Sequence, residues 1–444
     1  MAGAPPICDS STSIRHASEL MADHRAVLVR TPSGYGIVTD SDLRRRVLSA
    51  GLSPDRPIAD VMTFPVHVVG RETLEDDLVL EMLEFGVHHL PVMEGEAVIG
   101  MVSDLDLLGT KRRSPFDLRS RIDSAVAATD LAEVGQSLPR TAVDLWKAGV
   151  DAEHIGLWLG ALTDRLTARL IEICVDHLGP PPVEWAWLAL GSLGRREQAL
   201  TADQDHALIY ESQGESHDDY FAELAREVVS GLAASGFPKC ESRVMATEPA
   251  WRMSVGNWLG RLDQWMAEPD RLYGFLSGIV FDYRRVAGTL NIVPELDRMA
   301  KKAASKFQFV KRLSGLAIAH KTPLRPLGRL RTTSAGGGPP TLDIKETGLF
   351  PIIEMARALA LSSGVAVPST LQRLRQIGDD QEWSDASASL IQVFRTMQHV
   401  RFQHQVRQLD AGVPVDDLVV PVQLDRLTRL QLRDAFRVLR SVLD

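Results

Sequence analysis

A chain of 444 residues, 45% hydrophobic and 24% charged, has the composition of globular protein and is too long for one ordinary core, so about three domains are expected. Its formal net charge of −9 gives no general electrostatic reason to bind nucleic acid or an anionic membrane, and no stretch approaches the ~20 apolar residues of a membrane span. The three cysteines, Cys8, Cys174 and Cys240, are odd in number and lack paired metal-ligand spacing, which suits a reducing compartment better than a disulfide framework.

Met1 to Ser10 lacks the basic start and hydrophobic run of a signal peptide, so the cytoplasm is the expected location. Residues 7 to 110 then hold an internal repeat: Gly36-Ile37-Val38-Thr39-Asp40-Ser41-Asp42-Leu43 returns as Gly100-Met101-Val102-Ser103-Asp104-Leu105-Asp106-Leu107, 64 positions later. Each phrase follows a helix-like segment and a short apolar strand, Ala17–Ala22 with Ala26–Val29 and Leu74–Glu84 with His89–Val92. Two copies of strand, helix, strand, strand and helix are predicted, with the first strand of the first copy clipped. His88 and His89 are adjacent on a strand and point to opposite faces, so a shared metal ion is not expected.

With Asp60-Val61-Met62-Thr63 and His88-His89-Leu90-Pro91-Val92, the repeat resembles a pair of CBS domains, whose tandem packing makes clefts for adenosine nucleotides. The resemblance implies that Thr39 and Ser103 meet phosphate, that Asp42 and Asp106 hold ribose hydroxyls of AMP or ATP, and that the chain forms a homodimer. The residues themselves equally allow each Asp to cap the helix that follows it.

Lys111-Arg112-Arg113-Ser114-Pro115 reads as a linker, and the apolar spacing from Phe116 to Leu178 predicts three helices. Gly179-Pro180-Pro181-Pro182 ends the last one. The apolar run Trp185 to Leu190 reads as a buried strand, Gly191-Ser192-Leu193-Gly194 as a tight turn, Arg195 to Leu200 as a helix start, and the next strand as the carrier of Asp203 and Asp205. Carboxylates two residues apart on a strand share a face, where a divalent cation can bridge them to a triphosphate. Ser192 and the amides of the turn at Gly191 and Gly194 would hold phosphates, and Arg195 or Arg196 would neutralise more of the charge.

The pattern Gly-Ser-x-Gly-Arg-x-Glu-Gln followed by Thr-x-Asp-Gln-Asp resembles the DUF294 branch of the nucleotidyltransferase superfamily, related to the protein-PII uridylyltransferases. The resemblance implies Mg²⁺ on Asp203 and Asp205, an NTP donor, and a PII-like protein or a small molecule as acceptor. It also implies a third carboxylate, for which Glu241, near a possible strand at Arg243–Ala246, and Asp282 compete; Asp282 is preferred because Phe281-Asp282-Tyr283-Arg284-Arg285-Val286 resembles the related stretch of that branch.

Asp218 to Ala234 is predicted helical, and Trp251, Trp258 and Trp265, seven apart, are read as core residues rather than a stacking platform. After the glycine-rich break Gly336–Pro340, amphipathic segments at Pro351–Leu361, Leu371–Ile377, Ser384–Leu409 and Gln423–Leu443 resemble the C-terminal substrate-binding bundle paired with DUF294. Asp343, Lys345, Arg357, Arg401 and His404 are its candidates for lining a cleft. The expected architecture is α+β and multidomain: a CBS pair at 1–112, a helical connector at 113–179, a nucleotidyltransferase α/β domain at 180–300 and a helical bundle at 301–444. The competing reading is a catalytically silent, nucleotide-sensing signalling protein that uses the same fold for docking.

Overall fold

The computed structural model describes residues 5–22, 24–108, 114–212, 217–268, 276–320, 322–325, 330–334 and 339–443. The start of the Met1–Ser10 segment, Lys111–Arg113 of the expected linker and Gly336–Gly338 of the glycine-rich break lie outside the described residues. The chain forms two compact units, residues 1–120 and 121–444.

In the first unit the repeat becomes two small sheets of the same topology. Strand β1 (Ile7–Asp9) runs parallel to β2 (Ala26–Thr31), which forms a hairpin with β3 (Gly34–Thr39). Strands β4 (Val69–Gly70), β5 (His89–Glu94) and β6 (Ala97–Ser103) repeat this order. The first copy therefore keeps its opening strand, three residues long, where the sequence suggested a clipped one. Ala26, Leu28 and Ile37 of the first copy pack with Met101 of the second, joining the copies in one core.

The second unit begins with three helices, Pro115–Ser124 (which spans the boundary), Ala128–Lys147 and Ala152–Leu178, the last started by Asp151, whose side chain accepts from His154 N–H. A four-stranded sheet follows. Strands β7 (Trp185–Ala189) and β8 (His206–Tyr210) are antiparallel and buried at every residue, as continuous apolar runs require. Strand β9 (Arg252–Ser254) lies parallel to β8, and β10 (Arg284–Gly288) lies antiparallel to β7 on the other side. Arg243–Ala246 does not supply a strand: Arg243 has φ +59° and the chain turns there, so β9 takes the place beside β8. Trp251 and Trp258 are buried with ring centroids 6.0 Å apart, and Trp251 lies 6.0 Å from Trp265 as well, the packing of a core.

Helices Phe350–Ser362, Thr370–Gly378, Ser384–Asp410 and Arg426–Leu443 enclose a core that includes Ile352, Leu374, Phe394, Met397 and Phe436. Among the described residues, no helix is long and apolar enough to cross a membrane.

Candidate functional site

The turn after β7 is shaped by what packs against it. Gly191 has φ +55°, and a Cβ there would lie 2.7 Å from Asp205 Oδ2. A Cβ on Gly194 would fall 1.8 Å from the carbonyl oxygen of Asp282. Both glycines are thus required by an acidic residue pressed against the turn. The helix occupies Gly191–Arg195, not Arg195–Leu200; Arg196, at φ +54°, ends it in the left-handed conformation that commonly closes helices.

Asp203 and Asp205 lie in the extended run that enters β8 rather than on the strand, which starts at His206. Their spacing still puts them together: one oxygen from each, with the thiol of Cys240, lies within 4.8 Å of the others. The intervening Gln204 is fully buried and explains why the thiol arrives there. Its Nε2 donates to the carbonyl of Phe237 (2.7 Å) and to that of Val229 (3.3 Å), and its N–H donates to Pro238 O (3.0 Å). The turn that carries Cys240 is thereby stapled beside the acids. His206 Nδ1 accepts the N–H of Ala246 (3.0 Å), which leaves the proton on Nε2, 3.3 Å from Gln204 Oε1; burial lowers this imidazole to about 3.

A cleft of about 600 Å³ opens over this cluster. Gly191, Ser192, Asp203 and Asp205 line one side, and Lys345, Arg357 and Arg401 of the helical domain line the other. Burial, reinforced by the neighbouring charge of Asp203, pushes the Asp205 carboxyl up to about 7; Cys240, Lys345 and Arg195 act in the opposite sense. The Cys240 thiol is pushed up to about 12 by burial and by Asp205. Two carboxylates whose charges oppose each other, with a thiol beside them, form a donor set suited to a divalent cation.

Asp282, the preferred third acid, is not brought to this cleft. It is fully buried and answered by three guanidinium groups: Arg195 Nη1 at 2.5 Å from Oδ2, Arg357 at 3.1 Å from Oδ1 and 2.5 Å from Oδ2, and Arg373 Nη1 at 2.7 Å from Oδ1. Burial alone would raise its pKa, but Arg357, Arg373 and Arg195 outweigh burial and hold the carboxyl well below the usual carboxylate range. The competing residue, Glu241, does line the cleft.

The same network redefines the Gly-Arg-x-Glu part of the motif. Arg195 reaches the cleft wall, yet its Nε donates to Glu197 Oε2 (2.7 Å) while its Nη1 serves Asp282. Glu197 in turn accepts the N–H (2.5 Å) and the hydroxyl (2.9 Å) of Thr370, at the start of a helix of the C-terminal domain. Arg373 on that helix also donates to Phe281 O (2.8 Å). The charge of Arg195, which the sequence assigned to a triphosphate, therefore helps to tie two domains together.

Of the other C-terminal candidates, Asp343 accepts Glu346 N–H (2.8 Å), Arg401 makes a bidentate pair with Asp417 (2.7 and 3.0 Å), and His404 pairs with Asp416 (3.1 Å) away from the cleft wall.

In the first unit, both Thr/Ser-x-x-Asp pairs are closed on themselves. Asp42 Oδ2 accepts the N–H (2.9 Å) and hydroxyl (2.7 Å) of Thr39, and Asp106 Oδ2 accepts the N–H (2.8 Å) and hydroxyl (2.6 Å) of Ser103. Each hydroxyl also accepts the N–H of its Asp at 3.3 Å, which is the reciprocal cap of a helix start. His88 pairs with Asp104 (2.8 Å), and His89 opens the strand β5.

Three family models match: "Putative nucleotidyltransferase DUF294" over residues 136–271, "Putative nucleotidyltransferase substrate binding domain" over 307–444, and "CBS domain" over 1–49 and 58–112. This is a CBS-domain-containing DUF294 protein. The DUF294 match starts inside the Ala128–Lys147 helix, so the matched domain includes much of the helical connector. Among curated relatives, the CBS domain-containing protein CBSCBSPB2 of Arabidopsis thaliana is 29% identical over 169 residues, 37% of this chain and 28% of that protein. Protein MK0525 of Methanopyrus kandleri is 36% identical over 75 residues, 16% of this chain and 38% of that protein. The chain thus spans well under half the length of either relative. Solved structures that are similar include a protein with CBS domains from Burkholderia ambifaria (29% identity, 24% of this chain, 79% of that chain, TM-score 0.22). Another is a CBS domain protein from Pyrobaculum aerophilum complexed with AMP (18% identity, 25% and 88%, TM-score 0.23). Structural likenesses of this extent support no functional assignment.

Proposed function

We propose that this DUF294 protein transfers a nucleoside monophosphate from an NTP to a hydroxyl-bearing acceptor, with Asp203 and Asp205 holding the divalent cation, Mg²⁺ in the first instance. The observation that carries this reading is the convergence of Asp203, Asp205 and Cys240 within 4.8 Å at a cleft of about 600 Å³ that Ser192 and Lys345 also line. A cation bound there supplies positive charge against the phosphates and the leaving pyrophosphate. Ser192 donates its hydroxyl to a phosphate oxygen, the amides of Gly191 and Ser192 face the same anion, and Lys345 adds a charge from the opposite wall; Gly194, whose N–H donates to Leu190 O (2.9 Å), packs behind the turn instead. Glu241 supplies the third carboxylate. The acceptor enters against the helical domain, and Arg195 and Asp282 hold that domain in register instead of touching substrate. Because the motif resembles that of the PII uridylyltransferases, a PII-type protein is the first acceptor to try, in a cytoplasmic homodimer.

In the same reading, AMP or ATP binds at the CBS pair and adjusts transfer, with Thr39, Asp42, Ser103 and Asp106 opening from their caps to meet phosphate and ribose. The silent nucleotide-sensing alternative draws support from one observation, the engagement of Arg195 and Asp282 with each other. Pyrophosphate release separates the two. Each NTP is incubated with Mg²⁺, a PII-type protein and a panel of small hydroxyl acceptors, using wild type and Asp203→Asn. Acceptor-dependent release that the variant abolishes supports transfer; NTP binding with no release under any acceptor favours the silent reading.

A further inference from the structure

We infer that a second cavity of the second unit binds a small organic anion, a phosphate or carboxylate on a short carbon frame, gripped by Arg375 and Arg395. The cavity, of about 540 Å³, is within the size range of small-molecule sites. It shares a wall with the cleft, since Arg195, Glu197 and Gln398 line both. Its remaining walls come from the starts of the helices Ala152–Leu178 and Thr370–Gly378 and from the middle of Ser384–Asp410. Leu371, Phe394 and Val400, all buried, give it apolar surface, and the side-chain amides of Gln372, Gln398 and Gln431 add neutral hydrogen-bonding groups. Such a mixed lining suits a carbon frame that carries a few polar groups.

The charge of the ligand follows from Glu153. Its Oε1 accepts from Arg375 Nη2 at 3.1 Å and its Oε2 from Arg395 Nε at 2.8 Å. One carboxylate thus answers two guanidinium groups, and among the described residues neither arginine has a second carboxylate partner. Asp151, the other acid at this end, accepts His154 N–H and faces its imidazole, both at 2.9 Å. One positive charge is left over, on donors whose planar fork matches carboxylate and phosphate oxygens. Asp282 is also shared by arginines, but there they are sealed from solvent, whereas the Arg375 and Arg395 side chains are 50% and 44% exposed and line the cavity. Glu153 therefore holds from within the place that an anion takes from without.

The shared wall gives the anion a route to the cleft. Arg375 lies on the helix whose first residue, Thr370, donates its N–H (2.5 Å) and hydroxyl (2.9 Å) to Glu197. Glu197 accepts in turn from Arg195, which lines the cleft. An anion that draws Arg375 towards it loads this chain of contacts, so the cavity is an effector site that changes NTP affinity. That coupling rests on the reading of the cleft as the NTP site; the binding of the anion does not.

The test is calorimetric titration of the full chain, without divalent cation, with ribose 5-phosphate, citrate and uncharged ribose. The proteins are wild type, Arg375→Gln/Arg395→Gln and Glu153→Gln. Wild type is expected to bind one of the two anions and not ribose, and which anion binds separates a phosphate ligand from a carboxylate one. The double variant should bind it at least ~10-fold more weakly, and Glu153→Gln, which removes the competing carboxylate, at least ~3-fold more tightly. A gain of affinity cannot come from misfolding, so the Glu153 variant keeps the test sharp if the double variant is unstable. Equal binding by all three proteins overturns the site, as does the absence of saturable binding of either anion below ~10 mM. NTP titrated with Mg²⁺ in the presence of the bound anion then reads the coupling. An NTP affinity that the anion leaves unchanged removes the effector role, and anion binding in a chain that binds no NTP removes the reading of the cleft while the anion site stands.

Discussion

Asp205 and Asp282 are aspartates of the same unit, 8% and 0% exposed, and their surroundings drive them in opposite directions. Asp205 is buried beside another carboxylate and rises to about 7; Asp282 is buried among three guanidinium groups and falls below the ordinary range. Burial raises both, so the difference lies in the neighbours. Where partners are complete, a buried carboxylate is a structural joint. Where the neighbour is another carboxylate, burial goes unanswered and the carboxyl holds its proton to higher pH. The contrast also separates the two halves of one sequence motif: Ser192 and the Asp pair line the cleft, and Arg195 and Glu197, which reach the same wall, join domains through Asp282 and Thr370.

The comparison breaks first at Asp282. Asp282→Asn leaves three buried arginines without their shared counter-charge and should cost about 3–5 kcal/mol in urea unfolding of the second unit. Stability unchanged within error would mean that the network is not the joint described. Asp205→Asn should have the opposite sign. A carboxyl raised above its unfolded value stabilises below the unfolded pKa and loses that contribution as pH rises towards 7, so the variant gains relative stability of about 1–3 kcal/mol at pH 8 and much less at pH 4. The same variant should lose cation-dependent NTP binding.

His206 sharpens the contrast from the acid side. Its folded pKa of about 3 lies below the ordinary 6.5, so the unfolded chain takes up a proton that the folded chain refuses. Stability should therefore fall by up to ~1.4 kcal/mol per pH unit as pH drops below 6.5, and His206→Gln should flatten that slope in unfolding curves taken between pH 7 and 5. The smallest effect belongs to the first unit. Ser103→Ala removes a helix cap and should cost ~1 kcal/mol there, with the unfolding of the second unit unmoved.

Much of this was legible in the residues. The repeated Gly-x-Val-x-Asp-x-Asp-Leu phrase foretold two copies of one supersecondary unit, and the buried runs of β7 and β8 followed from continuous apolar sequence. The Asp-x-Asp pair does come together, but from the run before β8 and not by the strand alternation the spacing suggested. The helix limits were not legible, because Gly191 and Arg196 adopt positive φ under tertiary contact and local propensity does not record it. The fate of Asp282 was hidden for another reason: its arginine partners lie 87, 75 and 91 positions away in the chain. Cys240 was visible only as an unpaired cysteine, since its turn meets the Asp pair through hydrogen bonds from Gln204 that no local pattern announces.

Calorimetric titration of each NTP with Mg²⁺ or Mn²⁺ into wild type and Asp203→Asn/Asp205→Asn tests the central claim most directly, with AMP titrated in parallel. The account predicts cation-dependent NTP binding that the double variant loses by at least ~100-fold, with any AMP binding at the CBS pair retained. NTP binding of equal affinity in both proteins, with or without the cation, would contradict it.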